Sequence, residues 1–252
     1  MIVVSFNLRR DVEEDGENRF ENRKHFVAET ILHKQPDIIG FQEALPEMAA
    51  FLKEALADYT VLGCGRDKQL QDEYTLVAVK RARFDVMEMR TMWLSHTPHK
   101  PGSRYREQSI CPRTCTMVLL WDLQEKEPVR IYNTHLDHIG SGARLLGARQ
   151  ILKTIPAEKL MPQAPVVVMG DFNALPEDPE VRVFSREGSL VDLTASVGGT
   201  FHDFGKLSPG EKIDYIFADS RFTMKKAGVW TERNGRMYLS DHDPVFVEMS
   251  TK

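Results

Sequence analysis

Short polar clusters stand at the ends of apolar runs in this sequence, and their residue types suit the chemistry of a charged ester. Asn7 follows the run Ile2–Phe6, Glu43 follows Ile38–Phe41, Asp171 and Asn173 follow Val166–Met169, and Asp241 shortly precedes Val245–Met249. Carboxylates and amide carbonyls are hard oxygen donors, suited to Mg²⁺ or Mn²⁺ rather than to zinc. Each residue also has a plain structural explanation: Asn7 as a turn former, Glu43 as a cap for the next helix, 171–173 as an ordinary loop. Their joint placement is the informative feature. A polar group at the mouth of a buried strand is held by a rigid scaffold yet faces solvent, and catalytic groups need both conditions.

Two histidines share that placement. His135 leaves the run Val129–Asn133, and His242 sits in Ser240-Asp241-His242-Asp243-Pro244. An imidazole there can shuttle protons near neutral pH or stabilise charge on a phosphoryl group. It works best when a carboxylate holds its other nitrogen, and Glu73 and Asp214 are the candidates. Asp214 opens the run Tyr215–Phe217 just as His242 precedes the last strand, so adjacent strands could pair them.

The elements that must position these groups read as mixed α/β. Strands are expected at Ile2–Phe6, Asp37–Phe41, Thr75–Val79, Val86–Met92, Cys115–Trp121, Val129–Asn133, Pro165–Met169, Ile213–Phe217, Met224–Trp230 and Val245–Met249. Helices are expected at Arg19–Lys34, Glu47–Leu56 and Arg144–Leu152. Adjacent strands are too frequent for a simple doubly wound sheet, so two packed sheets with helices outside fit better. No repeat or Gly/Ser linker divides the chain, and residues 1–252 read as a single domain.

Composition excludes little but tilts the choice of substrate. The formal net charge of −4 gives no global basic field for nucleic acid. Cys64, Cys111 and Cys115 make neither a disulfide framework nor a structural zinc site. The opening run Ile2–Val4 is too short for a signal-peptide core or a membrane span, so the expectation is a cytoplasmic protein with reduced thiols. No obligate protein partner is evident.

Taken in order, these motifs resemble the endonuclease/exonuclease/phosphatase superfamily, the metal-dependent phosphoesterases related to deoxyribonuclease I. The resemblance rests on Ser5-Phe6-Asn7, Gly40-Phe41-Gln42-Glu43, Asp72-Glu73-Tyr74, Asn133-Thr134-His135-Leu136, Gly170-Asp171-Phe172-Asn173-Ala174, Ile213-Asp214-Tyr215-Ile216-Phe217 and Ser240-Asp241-His242-Asp243-Pro244-Val245. Each string is weak alone, but the set keeps motif order across almost the whole chain. The resemblance implies a four-layer α/β sandwich, two packed mixed β-sheets flanked by helices. It implies Glu43 as the principal ligand of Mg²⁺ or Mn²⁺, with Asn7 beside it and Asp241 supporting the metal or the water. Asp171 would orient or deprotonate the attacking water. Asn173 and His135 would contact the phosphate, with Glu73 orienting His135. His242, held by Asp214, would bind the phosphoryl group or transfer a proton.

Within the superfamily, Trp93-Leu94-Ser95, Gly199-Thr200-Phe201-His202 and Ala143-Arg144 look like a bacterial branch of undefined substrate, similar to deadenylase-like and sugar-phosphatase-like members. The chain departs from that branch at Ser103-Arg104-Tyr105-Arg106, where a Gly-Trp step would be expected. The loop Thr97–Arg113 is therefore expected to form one wall of the substrate site. Arg113, which leads into a strand, is its best-anchored candidate for an anionic group, whereas Arg104 and Arg106 can equally be solvated. The resulting expectation is a metal-dependent phosphodiesterase or phosphatase. Its substrate would be a phosphorylated small molecule, a lipid headgroup or single-stranded nucleic acid. The alternatives are a deadenylase-like nuclease, a non-catalytic binding module of the same fold, or polar strand ends that coincide by chance.

Overall fold

The apolar runs form two six-stranded sheets laid face to face in a computed structural model that describes residues 1–252. The first sheet holds β1 (Ile2–Asn7), β2 (Ile38–Ala44), β3 (Tyr59–Leu62), β4 (Tyr74–Lys80), β11 (Phe222–Val229) and β14 (Val245–Thr251), in the spatial order β11-β14-β1-β2-β4-β3. The second holds β5 (Phe84–Trp93), β6 (Thr114–Asp122), β7 (Glu127–His135), β8 (Val166–Asp171), β9 (Val191–Asp192) and β10 (Asp214–Ala218), in the order β5-β6-β7-β8-β10-β9. A small ribbon pairs β12 (Arg233–Asn234) with β13 (Met237–Tyr238).

Four helices complete the layers. On the first sheet lie α1 (Phe20–Lys34) and α2 (Pro46–Ala55); on the second lie α3 (Ser141–Thr154) and α4 (Pro179–Arg186). Three apolar cores separate the four layers, one between the sheets and one under each helical layer. Side chains alternate between the two faces of a strand, so the central strands covered on both faces carry continuous apolar runs, as in Val166–Met169. Val167 and Met169 of β8 enter the core between the sheets, while Val166 and Val168 face the helical side with Phe184 of α4. No helix is long and apolar enough to cross a membrane.

Strand direction decides where the polar strand ends meet. In the first sheet β1 and β2 run parallel, and β14 and β4 run antiparallel to them. The C-terminal ends of β1 and β2 therefore share an edge with the N-terminal ends of β14 and β4. The second sheet repeats the arrangement: β7 and β8 are parallel, and β6 and β10 are antiparallel to their neighbours. Asn7, Glu43, His135 and Asp171 stand at C-terminal strand ends, while Asp241, Glu73, Arg113 and Asp214 stand at or just before N-terminal ones.

The short elements β3, β9, β12, β13 and α4 lie outside the sequence expectation. The four-residue edge strand β3 carries no alternation long enough to detect. Helix α4 spans only eight residues, although Asp178 at its N-cap with Pro179 in the first turn is a helix-start signal.

Candidate active site

Register places the central residues side by side. His135 of β7 is paired with Asp171 of β8, and Asp171 is paired in turn with Asp214 of β10. Gly170 makes that spacing feasible. Its φ is +147°, and a Cβ there would lie 1.9 Å from the Thr134 carbonyl oxygen of the neighbouring strand. Asn7 enters from the other sheet, where its Nδ2 donates to Asp171 Oδ2 at 2.9 Å and to Glu43 Oε1 at 3.1 Å. Glu43 (φ +60°) and Asn173 (φ +48°) both adopt left-handed backbone, which costs a residue with a Cβ free energy and is concentrated at functional sites. Glu43 sits where the β2–β4 ladder shifts register between Phe41 and Ala44.

Asp241, Glu43, Asp171, Asn173, His135 and His242 line one cleft of about 660 Å³, together with Glu73 and Arg113. Asn7 and Asp214 lie buried directly behind it, so the candidate metal and catalytic residues from both sheets converge on this region. Asn173 Nδ2 is 3.0 Å from His135 Nε2 and donates to the Leu136 carbonyl at 3.1 Å. His242 Nδ1 lies 2.8 Å from Asp214 Oδ2, an oxygen that also accepts from Thr200 Oγ1 at 2.6 Å. The ring's other nitrogen is 3.9 Å from Asp171 Oδ2.

The electrostatics divide the two histidines. Burial, reinforced by the guanidiniums of Arg113 and Arg66, holds His135 well below the usual imidazole range, so it is neutral. Burial would also depress His242, but the charge and hydrogen bond of Asp214, with Asp241 and Asp171 close by, push it up to about 10. The carboxylates separate similarly. Asp171 is pushed up to about 7 by burial and by the charge of Asp214. Burial, with Glu43 adding to it, also raises Asp241. For Glu43, burial opposes ionisation, but the N–H groups of Arg10 and Asn7 hold it below the usual range.

The donor set fits a divalent cation. Donor atoms of Glu43, His135 and Asp171 all lie within 4.8 Å of one another, as do those of Asp171, Asp214 and His242. Asp214 Oδ1 is buried without a hydrogen-bond partner. Arg9, Arg10, Arg66 and Arg113 share the cleft with these carboxylates, whose hard oxygen donors suit Mg²⁺ or Mn²⁺.

Three expectations need correcting in detail. Glu73 does not hold His135: Arg66 donates to both its oxygens, at 2.6 and 2.9 Å, because the loop carrying Arg66 folds back beside β4. Asn7 presents its amide nitrogen to the carboxylates, and its Oδ1 accepts from the Arg9 N–H at 2.9 Å. In this arrangement it joins the ligand carboxylates rather than offering an oxygen of its own. Of the loop Thr97–Arg113, only Cys111 and Arg113 line the cleft, while Arg104 and Arg106 are exposed outside it.

Several contributors carried no separate signal in the sequence. Thr200 fixes Asp214, and Phe201 packs against the His242 ring with centroids 4.9 Å apart. Gln42 and Asn133 form a hydrogen bond between the sheets beneath the site. All four lie inside motifs already quoted, and for Gln42 and Asn133 a polar residue inside an apolar run was the available clue.

The comparisons with known proteins agree with this geometry. The chain matches no curated protein. It is similar to the solved structure of an endonuclease/exonuclease/phosphatase from Bacteroides vulgatus, at 29% identity over 100% of this chain and 98% of that one, with a TM-score of 0.93. It is similar to a mannosyl-6-phosphatase from Bacteroides thetaiotaomicron, at 27% identity over 99% of each chain and a TM-score of 0.90. The human Nocturnin catalytic domain shares the fold, with 17% identity over 100% of this chain and 94% of that one and a TM-score of 0.79. The model of the Endonuclease/Exonuclease/phosphatase family matches residues 4–242, from the first strand to His242, and the chain belongs to that family.

Proposed function

We propose that the protein hydrolyses phosphoesters with the help of a divalent cation. The observation that carries this reading is the meeting of Glu43, Asp171 and Asp241 with His135 and His242 at one cleft mouth. Glu43 and Asp241, with Asn7 beside them, would hold Mg²⁺ or Mn²⁺. The cation supplies charge neutralisation and polarisation of a phosphoryl oxygen. Asp171 orients the attacking water and accepts its proton. His135 and Asn173 hydrogen-bond the phosphoryl oxygens. His242, held by Asp214, stabilises the charge that develops there or returns a proton to the leaving oxygen. Water adds to phosphorus, the ester P–O bond breaks, and the alcohol leaves protonated.

A small phosphorylated substrate fits better than single-stranded nucleic acid. One relative, at 27% identity, is a mannosyl-6-phosphatase, and the net charge of −4 gives no global basic field for a polyanion. The test is turnover of chromogenic phosphate mono- and diesters with Mg²⁺, with Mn²⁺ and with excess chelator. Turnover with metal, abolished by chelator and by Glu43→Ala, is expected. Full activity in chelator would remove the metal from the mechanism, and no turnover under any condition would favour a binding module of the same fold.

A further inference from the structure

The two flanks of the cleft are chemically unlike. On the β4–β6 side stand Arg66, Arg113 and His138; on the β10–β14 side stand Phe201, Asp203 and Glu211. The catalytic strand ends of β7 and β8 lie between them. Arg9 and Arg10, just after β1, line the cleft too but lie beside Asp241 and Glu73, at 3.7 and 3.6 Å.

Arg66 is already committed, since Glu73 takes two of its nitrogens and Asp72 the third. Arg113 is not. Its side chain is only 5% exposed, its Nη2 lies 3.0 Å from His138 Nδ1, and its Nε and Nη1 have no hydrogen-bond partner. The nearest carboxylate, Asp137, is 3.7 Å from Nε. Asp137 is spent on other donors: the Ser109 N–H and hydroxyl and the N–H groups of Ile139 and Gly140. A buried guanidinium with idle donors is costly unless a ligand supplies acceptor oxygens. The acceptor that suits it best is a doubly charged phosphoryl group.

The opposite flank is built to refuse such charge. Residues 200–202 are stitched by backbone hydrogen bonds to Glu211 on one side and to Asp241 and Asp243 on the other. Phe201 is thereby fixed to the His242 segment with its ring half-exposed. The Glu211 carboxylate is exposed and makes no ion pair or hydrogen bond within the protein, and Asp203 pairs only with Lys206, at 3.2 Å. Carboxylates accept hydrogen bonds from hydroxyls, and an aromatic face packs against C–H groups. The same carboxylates repel a phosphodiester backbone.

We propose that the cleft selects the phosphate monoester of a small, uncharged, hydroxyl-rich alcohol. Arg113, with His138, holds the additional ionised phosphoryl oxygen that a diester lacks, and Phe201, Asp203 and Glu211 hold the alcohol. The products are the free alcohol and inorganic phosphate. This inference rests on the phosphoester-hydrolase reading above.

The experiment compares kcat/KM of the metal-loaded protein on a hexose monophosphate, p-nitrophenyl phosphate, bis(p-nitrophenyl) phosphate and a single-stranded oligonucleotide. The hexose monophosphate should be the best substrate and the two diesters the worst. Arg113→Met should lower the monoester-to-diester ratio about tenfold or more, the worth of a lost charge-assisted hydrogen bond. Arg113→Lys keeps the charge and serves if the first variant unfolds; it should recover part of that ratio. Phe201→Ala and Glu211→Gln should each raise KM for the hexose monophosphate about tenfold more than KM for p-nitrophenyl phosphate, which has no hydroxyls. The proposal is overturned if diesters or the oligonucleotide are turned over as well as monoesters. It is also overturned if Arg113 variants lower both ester classes equally, or if the hexose monophosphate is no better than p-nitrophenyl phosphate. Failure to hydrolyse any of the four would instead refute the phosphoester reading beneath it.

Discussion

Asn133 is the residue whose removal should most clearly separate scaffold from chemistry. It lies fully buried on β7 and reaches across to the other sheet. Its Nδ2 donates to the carbonyls of Phe41 and Leu76, both at 2.8 Å, and its Oδ1 accepts from Gln42 Nε2 at 2.7 Å. Gly40 leaves room for it, since a Cβ at that position would sit 2.7 Å from Asn133 Oδ1. Asn133→Ala removes three buried hydrogen bonds, while Phe41 and Leu76 remain ladder partners and Gln42 keeps the Gly40 carbonyl. At about 0.5–1.5 kcal/mol for each hydrogen bond lost, the expected loss is about 2–4 kcal/mol. That is a large share of a typical stability of about 5–15 kcal/mol. Urea unfolding should show a lower midpoint with an unchanged slope. Because Asn133 ties the strand of His135 to the strand of Glu43, the folded variant should also lose kcat, as a misplacement of about 1 Å can cost about 10²-fold. Asn133→Asp keeps the shape but turns a carboxylate toward two carbonyls, and it should be at least as destabilising at neutral pH. A loss under about 1 kcal/mol, with kcat unchanged, would show that apolar packing alone sets the spacing of the sheets.

Three further outcomes are expected. Asp171→Asn should fold normally and lose about 10²-fold or more in kcat, the lower range for a general base; a near-wild-type rate would reduce Asp171 to a loop residue. In a double-mutant cycle on kcat/KM, Asp214→Ala should mimic much of His242→Ala, and the double variant should be little worse than either, because groups acting as a unit are not additive. Additive losses would dissolve the pair. The raised pKa of His242 has a stability signature, measured in chelator. Its stabilisation is fully present below the ordinary imidazole value of 6.5 and is lost as pH climbs through about 10. The stability gap between the wild type and His242→Gln should therefore close over that interval, and a gap that widens there would contradict the assigned charge.

Much of this molecule is written locally in its chain. The β-branched run Val166–Val168 is apolar on both faces because β8 is covered on both, and its short length and β-branching announce such a strand. Polar residues that interrupt apolar runs announce the strand mouths, so Asn7, Glu43, His135, Asp171, Asp214 and His242 were all legible, and their order pointed to the family. Short elements were not, because the four residues of β3 and the eight of α4 give too little periodicity and draw their stability from the sheet or helix beside them. Nor could the sequence choose partners. Glu73 could have held a histidine or an arginine, and only the fold-back of the loop around Gly65 gave it to Arg66. The same limit hid the direction of the Asn7 amide, the grip of Thr200 on Asp214 and the idle donors of Arg113. Strand formation depends on neighbours along the chain, whereas hydrogen-bond partners and pKa values depend on distances of a few ångströms between residues far apart in sequence. Those distances were set only when the parallel and antiparallel strands of two sheets brought their ends to one edge.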